Sequence, residues 1–334
     1  MKHDVQLQQI EVAGAKKKFK VSNEHQPAWR AVPDSIWNDP RVIIERKVDG
    51  HRFKAHVFED GIRLDSRRPS VDSGLYVEKT DNAPLIRDHA VPELEGTVLD
   101  GELVAGKDSN SVAHALGSHA TDEEKAAICY VAFDILFFKG EDVRGKRDEV
   151  RRCLLETLFE QTLLGRCENI RLMTRSNLTP DQKRQVLVDA LEAGEEGVML
   201  KDISQPYGKG WTKVKREARY DVVVMGYDEP KPTSVKKGDL DATPTKFALN
   251  NWVGAIRFGQ LLDGKLTYMG RCSGMDEAVR REVSENRDAF LGRVMEISAQ
   301  ERFPKTGKFR HPRFERWRDG EKLAVDCIYD PHEV

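Results

Sequence analysis

The stretch Arg41–Pro69, RVIIERKVDGHRFKAHVFEDGIRLDSRRP, decides how this chain folds. Its first part, RVIIER, reads as a short buried strand. From His51 to Glu59 polar and apolar residues alternate, which places Phe53, Ala55 and Val57 on one face of a second strand. Asp60-Gly61 then supplies a hairpin turn into a third strand, Ile62–Ser66. Between the first two strands sits Lys47-Val48-Asp49-Gly50. Taken alone, that tetrapeptide reads as a surface turn, with Gly for the tight backbone and Asp as turn former.

Reading outward, Thr97–Val104 and Tyr130–Phe138 are further strands, rich in β-branched and aromatic residues. Asp148–Leu164 has helical spacing, with Val150, Leu154, Leu155, Leu158 and Phe159 on one face. A second helix begins with Thr179 as N-cap and Pro180 at the first helical position. It runs through Val186, Leu187 and Leu191 to a stop at Gly194, and Glu196–Lys201 follows as a strand. The character changes near Arg219. Asp221–Tyr227 (DVVVMGY) is a strand, 228–250 is a Pro/Lys/Asp-rich loop, and Trp252–Gln260 and Lys265–Cys272 flank a hairpin turn at Asp263-Gly264. A helix over about 276–290 and strands near Val294 and Leu323 complete a pattern that suits a small β-barrel. The expected domains are residues 1–219 and 220–334.

Length and composition bound the rest. The 334 residues fit two cores better than one. With 39% hydrophobic and 33% charged residues and no apolar run near the ~20 residues of a membrane span, we expect a cytoplasmic protein that does not engage membranes. The five cysteines, Cys129, Cys153, Cys167, Cys272 and Cys327, form no C-x-x-C pair, which argues against a zinc ribbon or a disulfide framework. A net charge of −2 leaves the partner open. A nucleic-acid enzyme with this balance must segregate its charge, and basic clusters do occur at Lys16–Lys20, Lys213–Arg219 and Lys305–Arg318.

The residues around Lys47 supply what a lysine nucleophile needs at a phosphoryl centre: cations to neutralise phosphates and carboxylates to hold a metal. Glu45 lies two before it on the same face of an extended strand, and Arg52 five after. Ser66-Arg67 ends the third strand. Asp100-Gly101-Glu102 sits in VLDGELV, Phe133-Asp134 in YVAFDILFF, and Glu196-Gly197 opens EGVMLK. In Trp211-Thr212-Lys213-Val214-Lys215, alternation points Lys213 and Lys215 to one side. Singly, each has a bland explanation as surface charge or core aromatic.

The ordered set KVDG, DSRRP, LDGEL, AFDIL, EGVMLK and WTKVK resembles the motifs of the covalent nucleotidyltransferase superfamily, which comprises DNA ligases, RNA ligases and mRNA capping enzymes. Phe309–Glu321, FRHPRFERWRDGE, is similar to the last motif of its DNA ligases, carried in an oligonucleotide-binding (OB) barrel. The resemblance spans about 40–320. It implies an α+β fold: a nucleotidyltransferase (adenylation) domain of antiparallel sheets with flanking helices, plus a C-terminal OB-fold β-barrel. It implies an ATP-dependent DNA ligase in which Lys47 forms the AMP adduct. Glu45 would meet the adenine amino group and Phe133 would stack on the base. Asp49, Arg52 and Glu102 would hold the ribose and its surroundings. Glu196 with Glu102 would position Mg²⁺, Lys213 and Lys215 would neutralise the α-phosphate, and Arg67 would grip the 5′-phosphate. Arg310, Arg313 and Arg318 are the candidates for orienting the pyrophosphate leaving group.

Within that superfamily, ATP is expected as cosubstrate, because only 46 residues precede Lys47 and no zinc ligand set exists for an NAD-dependent type. Capping enzymes usually carry Asp at the place of Glu196, and RNA ligases often lack an OB domain ending in RHPRF. The expected partner is nicked double-stranded DNA, read through its backbone by the N-terminal lysines, Lys231–Lys237 and the arginines near 313. A minimal, two-domain monomer that clamps DNA by hinging near Glu217–Tyr220 follows. The rivals are an RNA ligase or capping-type guanylyltransferase and, from another class, a non-catalytic nucleic-acid-binding protein.

Overall fold

A computed structural model of the chain describes residues 10–21, 27–70, 74–106, 109–231, 245–299, 301–303 and 306–331. They fall into two compact units, one holding 10–20 and 27–215, the other residue 21 and 216–331. Most of Lys231–Lys237 lies outside the described residues.

The first unit is built on two sheets. One has five strands: β1 (Lys17–Val21), β2 (Val42–Lys47), β10 (Arg175–Ser176), β11 (Gly197–Asp202) and β12 (Trp211–Arg216), in the order β1-β12-β11-β2-β10. The other has the order β5-β4-β3-β6-β7-β8, with β9 added beside β7. Its strands are β3 (His51–Phe58), β4 (Gly61–Pro69), β5 (Tyr76–Glu78), β6 (Val98–Val104), β7 (Cys129–Phe138), β8 (Glu141–Asp142) and β9 (Ile170–Leu172). The β7–β9 pair is parallel, an exception to the all-antiparallel expectation.

Alternation along the strands sorts the side chains. Phe53, Ala55, Val57, Ile62, Leu64, Leu99 and Leu103 share the buried core of the larger sheet. The residues between them, Arg52, Lys54, Asp100 and Glu102, occupy its opposite face, where Arg52 pairs across with Glu102 and Lys54 with Asp100. In the smaller sheet Ile44, Val198, Leu200 and Val214 are buried on the far face, and Glu45, Lys47, Lys213 and Lys215 lie on the other. Polar groups thus line one face of each sheet while apolar burial stabilises the other.

The helices mostly follow their sequence signals. The helix α1 (Asp148–Gln161) buries Leu155 and Leu158, but Val150 is exposed. It also ends sooner than expected, with a 3-10 turn at Leu163–Arg166. The helix α2 (Pro180–Glu192) starts as expected: the Gln182 N–H donates to the Thr179 hydroxyl and the Gln182 side chain accepts from the Thr179 N–H.

The second unit has five strands in the order β15-β14-β13-β16-β19. They are β13 (Ala218–Asp228), β14 (Ala255–Leu262), β15 (Lys265–Cys272), β16 (Val294–Ala299) and β19 (Arg313–Trp317), with β17 (Glu301–Arg302) and β18 (Phe309–Arg310) as a separate pair. Val222, Val224, Ile256, Phe258, Met269, Met295 and Ile297 form its core, joined by Val283 from helix α3 (Glu277–Glu285). Among the described residues no continuous ladder closes this sheet. Its edges touch through one parallel bridge, Ser273–Arg313. The expected helix over 276–290 breaks at Asn286, whose φ of −130° leaves the helical region. Lys246–Leu249, inside the expected loop, forms a helical turn capped by Thr245. No strand forms at Leu323; a 3-10 turn over Ala324–Asp326 stands there instead.

Candidate active site

The cross-strand register assembles the site. Gly197 of β11 lies opposite Lys47 on one side and Lys215 on the other, and Met199 lies between Glu45 and Lys213 in the same way. Residues directly across a sheet share a face, so one surface collects Glu45, Lys47, Lys213 and Lys215. Glu196, immediately before the strand, turns back to this surface. It makes an ion pair with Lys47 through Oε2, and its Oε1 lies 3.4 Å from Lys215 Nζ. Two glycines make the close approach possible. A Cβ on Gly197 would fall 2.2 Å from the Val214 carbonyl, and one on Gly50 would fall 2.2 Å from the Leu103 carbonyl and 2.8 Å from Glu102 Cγ.

The larger sheet contributes the opposite wall. Burial pushes the Glu102 carboxyl up to about 7. Lys47 and Arg52 pull the other way, while Asp100 and Glu196 reinforce the rise. Burial holds Lys213 below the usual lysine range, and the charges of Lys47, Lys215 and Arg67 add to this. Glu196 is lowered from its ordinary value: burial opposes this, but Lys47, Lys215 and Lys213 outweigh it. Carboxylates and cations are therefore packed closely enough to set one another's protonation. Asp49 accepts from the Ser109 N–H at 3.3 Å. Arg67 lies in the exposed last three residues of β4.

Phe133 owes its position to a bulge. Asp134 pairs with Asp100 and Ala132 with Gly101, leaving Phe133 as the extra residue, a device that re-aims a side chain. Its ring stands edge-on to Trp211 with centroids 6.5 Å apart, and Trp211 is edge-on to Tyr207 at 5.2 Å. Arg52 lies 5.2 Å from the Phe133 centroid. Rather than reaching outward, Arg52 is held by Asp100, donating through Nε at 2.9 Å and Nη2 at 2.5 Å, with Tyr207 completing the group.

Glu45 is buried, 3% exposed. Its Oε1 accepts from Arg175 Nε at 2.9 Å, and its Oε2 lies 2.6 Å from Lys201 Nζ. Arg175 continues to Asp148 at 2.6 Å, and Arg151 joins Asp148 to Asp134. The sequence reading passed over Arg175, Tyr207, Asp100 and Arg151 as site residues. Asp100 was legible beside Glu102 in LDGEL. Arg175 carries no local signal.

Residues 30–216 match the family model described as the ATP dependent DNA ligase domain. The chain belongs to the ATP-dependent DNA ligase family. Among curated relatives of this family, a probable DNA ligase from Koribacter versatilis (strain Ellin345) is 30% identical over 225 residues, covering 56% of this chain and 37% of the relative. A DNA ligase from Archaeoglobus fulgidus is 28% identical over 325 residues, covering 84% and 52%. The chain thus spans roughly a third to a half of these relatives' lengths. A solved structure from a structure-function analysis of Lig E DNA ligases superposes with a TM-score of 0.59 at 19% identity, covering 92% of this chain and 99% of that one. At that identity the likeness concerns the fold. No helix among the described residues of this ligase-family chain is long and apolar enough to cross a membrane.

In the second unit, the three arginines singled out by sequence fall in different settings. Arg318 is enclosed by acid, with Asp221 at 3.0 Å, Glu321 at 2.9 Å and Glu296 at 3.4 Å. Arg313 is exposed at the start of β19, and Arg310 lies in β18.

Proposed function

We propose that this chain seals nicks in duplex DNA with ATP, through a lysyl-AMP intermediate on Lys47 and an adenylylated 5′ end. The observation that carries this reading is the convergence of Lys47, Glu196 and Lys215 on one face, opposite Glu102, within residues matching the ligase model. In the first step the Lys47 Nζ attacks the α-phosphorus as the free amine and gives up a further proton to solvent as the phosphoramidate forms. The P–N bond forms, the bond to the bridging oxygen breaks, and pyrophosphate leaves. Lys213 and Lys215 neutralise charge developing on the α-phosphate. Phe133 offers a face to the base, while Asp49 and the Arg52–Asp100 pair border the ribose. Arg67, at the exposed end of β4, receives the 5′-phosphate of the nick, and the 3′-OH then displaces AMP.

Magnesium fits this donor set. Two carboxylates, Glu102 and Glu196, belong to it, and the Glu196 charge adds to the burial that disfavours the charged form of Glu102. Mg²⁺ is ordinarily held by one or two carboxylates together with substrate phosphates. Bound between these groups, it would supply charge neutralisation at the phosphates.

We assign the unit ending at Lys215 as the adenylation domain and the unit from Arg216 as an OB-type barrel. The second assignment is supported by the bridge between its edge strands and by bulges in β13, β15 and β19, which curve a sheet toward closure. Arg310, Arg313 and Arg318 are its candidates for contacting the leaving group.

The test is sealing of a 5′-phosphorylated nick in duplex DNA, with ATP and GTP in parallel. ATP should support sealing and Lys47→Ala should abolish it while still binding the nicked duplex. Transfer of GMP to an RNA 5′ end would overturn the ligase reading in favour of capping.

A further inference from the structure

The Glu45 carboxylate is not a free hydrogen-bonding group. It is one link in a buried chain of alternating charge that begins at Asp134 and runs through Arg151, Asp148 and Arg175 to Glu45 and Lys201. Arg175 is the joint of that chain. It stands directly opposite Glu45 in the β10–β2 ladder. Its Nε donates to Glu45 Oε1 at 2.9 Å, while Nη1 and Nη2 donate to the two Asp148 oxygens at 2.6 and 3.2 Å. Asp148 is the first residue of α1 and is buried, so one planar guanidinium fixes Glu45 against the end of a helix. On its other side Glu45 touches Lys201, whose Nζ lies 5.2 Å from the Phe133 centroid and 5.0 Å from that of Trp211. The clamped carboxylate is therefore one lysine away from the aromatic pair.

We propose that Arg175 sets the base selectivity of this site, as a positioning residue that fixes Glu45 as a hydrogen-bond acceptor for the 6-amino group of a purine. This rests on the reading of the site as an adenylation centre. A carboxylate held between two cations cannot turn to accommodate a different base edge. It rewards a donor at the 6-position, is indifferent to hydrogen there, and repels a carbonyl oxygen. Released from Arg175, the Glu45 side chain recovers rotamer freedom and its acceptor direction blurs.

The experiment measures lysyl-nucleotide formation with α-labelled ATP and with α-labelled purine riboside triphosphate, which differ only in the 6-amino group. The wild type should prefer ATP. In Arg175→Met, and in Arg175→Lys, which keeps the charge but loses the two-way fork, the ratio of the two kcat/KM values should fall by on the order of 10-fold. A ratio unchanged while both substrates weaken in proportion would make Arg175 merely structural and overturn the inference, as would a wild type indifferent to the amino group. Asp148→Asn, which leaves Arg175 in place but loosens its second anchor, should move the ratio in the same direction by less. It keeps the test open if the Arg175 variants do not fold. A folded wild type, free of prior adduct, that takes label from neither nucleotide would instead overturn the adenylation reading on which the inference rests.

Discussion

Burial raises the Glu102 carboxyl to about 7 from an ordinary 4.5. Between those values the folded chain holds more of this proton than the unfolded chain does. Folding stability is therefore lost as pH rises through the window, by about 3 kcal/mol in the absence of a divalent cation. Buried His56 has the opposite sign. Its imidazole is pushed down to about 3 by burial and by Lys54 and Arg63, so it costs stability as pH falls below its ordinary 6.5. Comparing wild type with Glu102→Gln isolates the carboxylate. In urea unfolding, the variant should gain on the wild type as pH climbs from about 5 to about 7.5, and a constant difference would contradict the burial argument. At this scale Lys47, Glu102, Glu196, Lys213 and Lys215 were legible because each stands in a short motif with a resemblance to lean on. Arg175 was not, because its partner Glu45 lies 130 residues away and a two-residue strand gives no period to read.

The elements of the site owe their spacing to Gly197 as much as to the charged groups. Its φ of 139° and the 2.2 Å approach of the Val214 carbonyl leave no room for a side chain between β2 and β12. Gly197→Ala should push these strands apart, separating Lys47 from Lys215. Misplacement of about 1 Å at a reacting group lowers rate by on the order of 10²-fold. Stopped-flow adenylation should show that loss; a normal rate in a folded variant would mean that the spacing is slack. Strands and caps were readable where local chemistry speaks, as at the Thr179 N-cap and the Asp263-Gly264 turn. Reading failed where tertiary context overrides periodicity. Val150 keeps a helical apolar spacing yet faces outward, and Leu323 lies in a 3-10 segment although its neighbours suggested a strand. The bulge that frees Phe133 depends on register between β6 and β7, which no single strand encodes.

For the whole molecule, two separate cores accompany the division between Lys215 and Arg216, and β13 runs through residues 219 and 220. A change in sequence character was visible near Arg219, but a strand that starts at Ala218 gives no turn signal to mark the point more closely. Net charge near zero leaves the partner undecided in the sequence; what the fold separates is polar sheet faces, carrying both acids and bases, from apolar ones. Whether Lys47 stands at an adenylation centre can be read from intact-protein mass spectrometry after incubation with ATP and Mg²⁺. The chain should gain a single AMP, mapped to Lys47, absent from Lys47→Ala and discharged by nicked duplex DNA. A folded, initially unmodified chain that gains no AMP, or an adduct that survives Lys47→Ala, would contradict it.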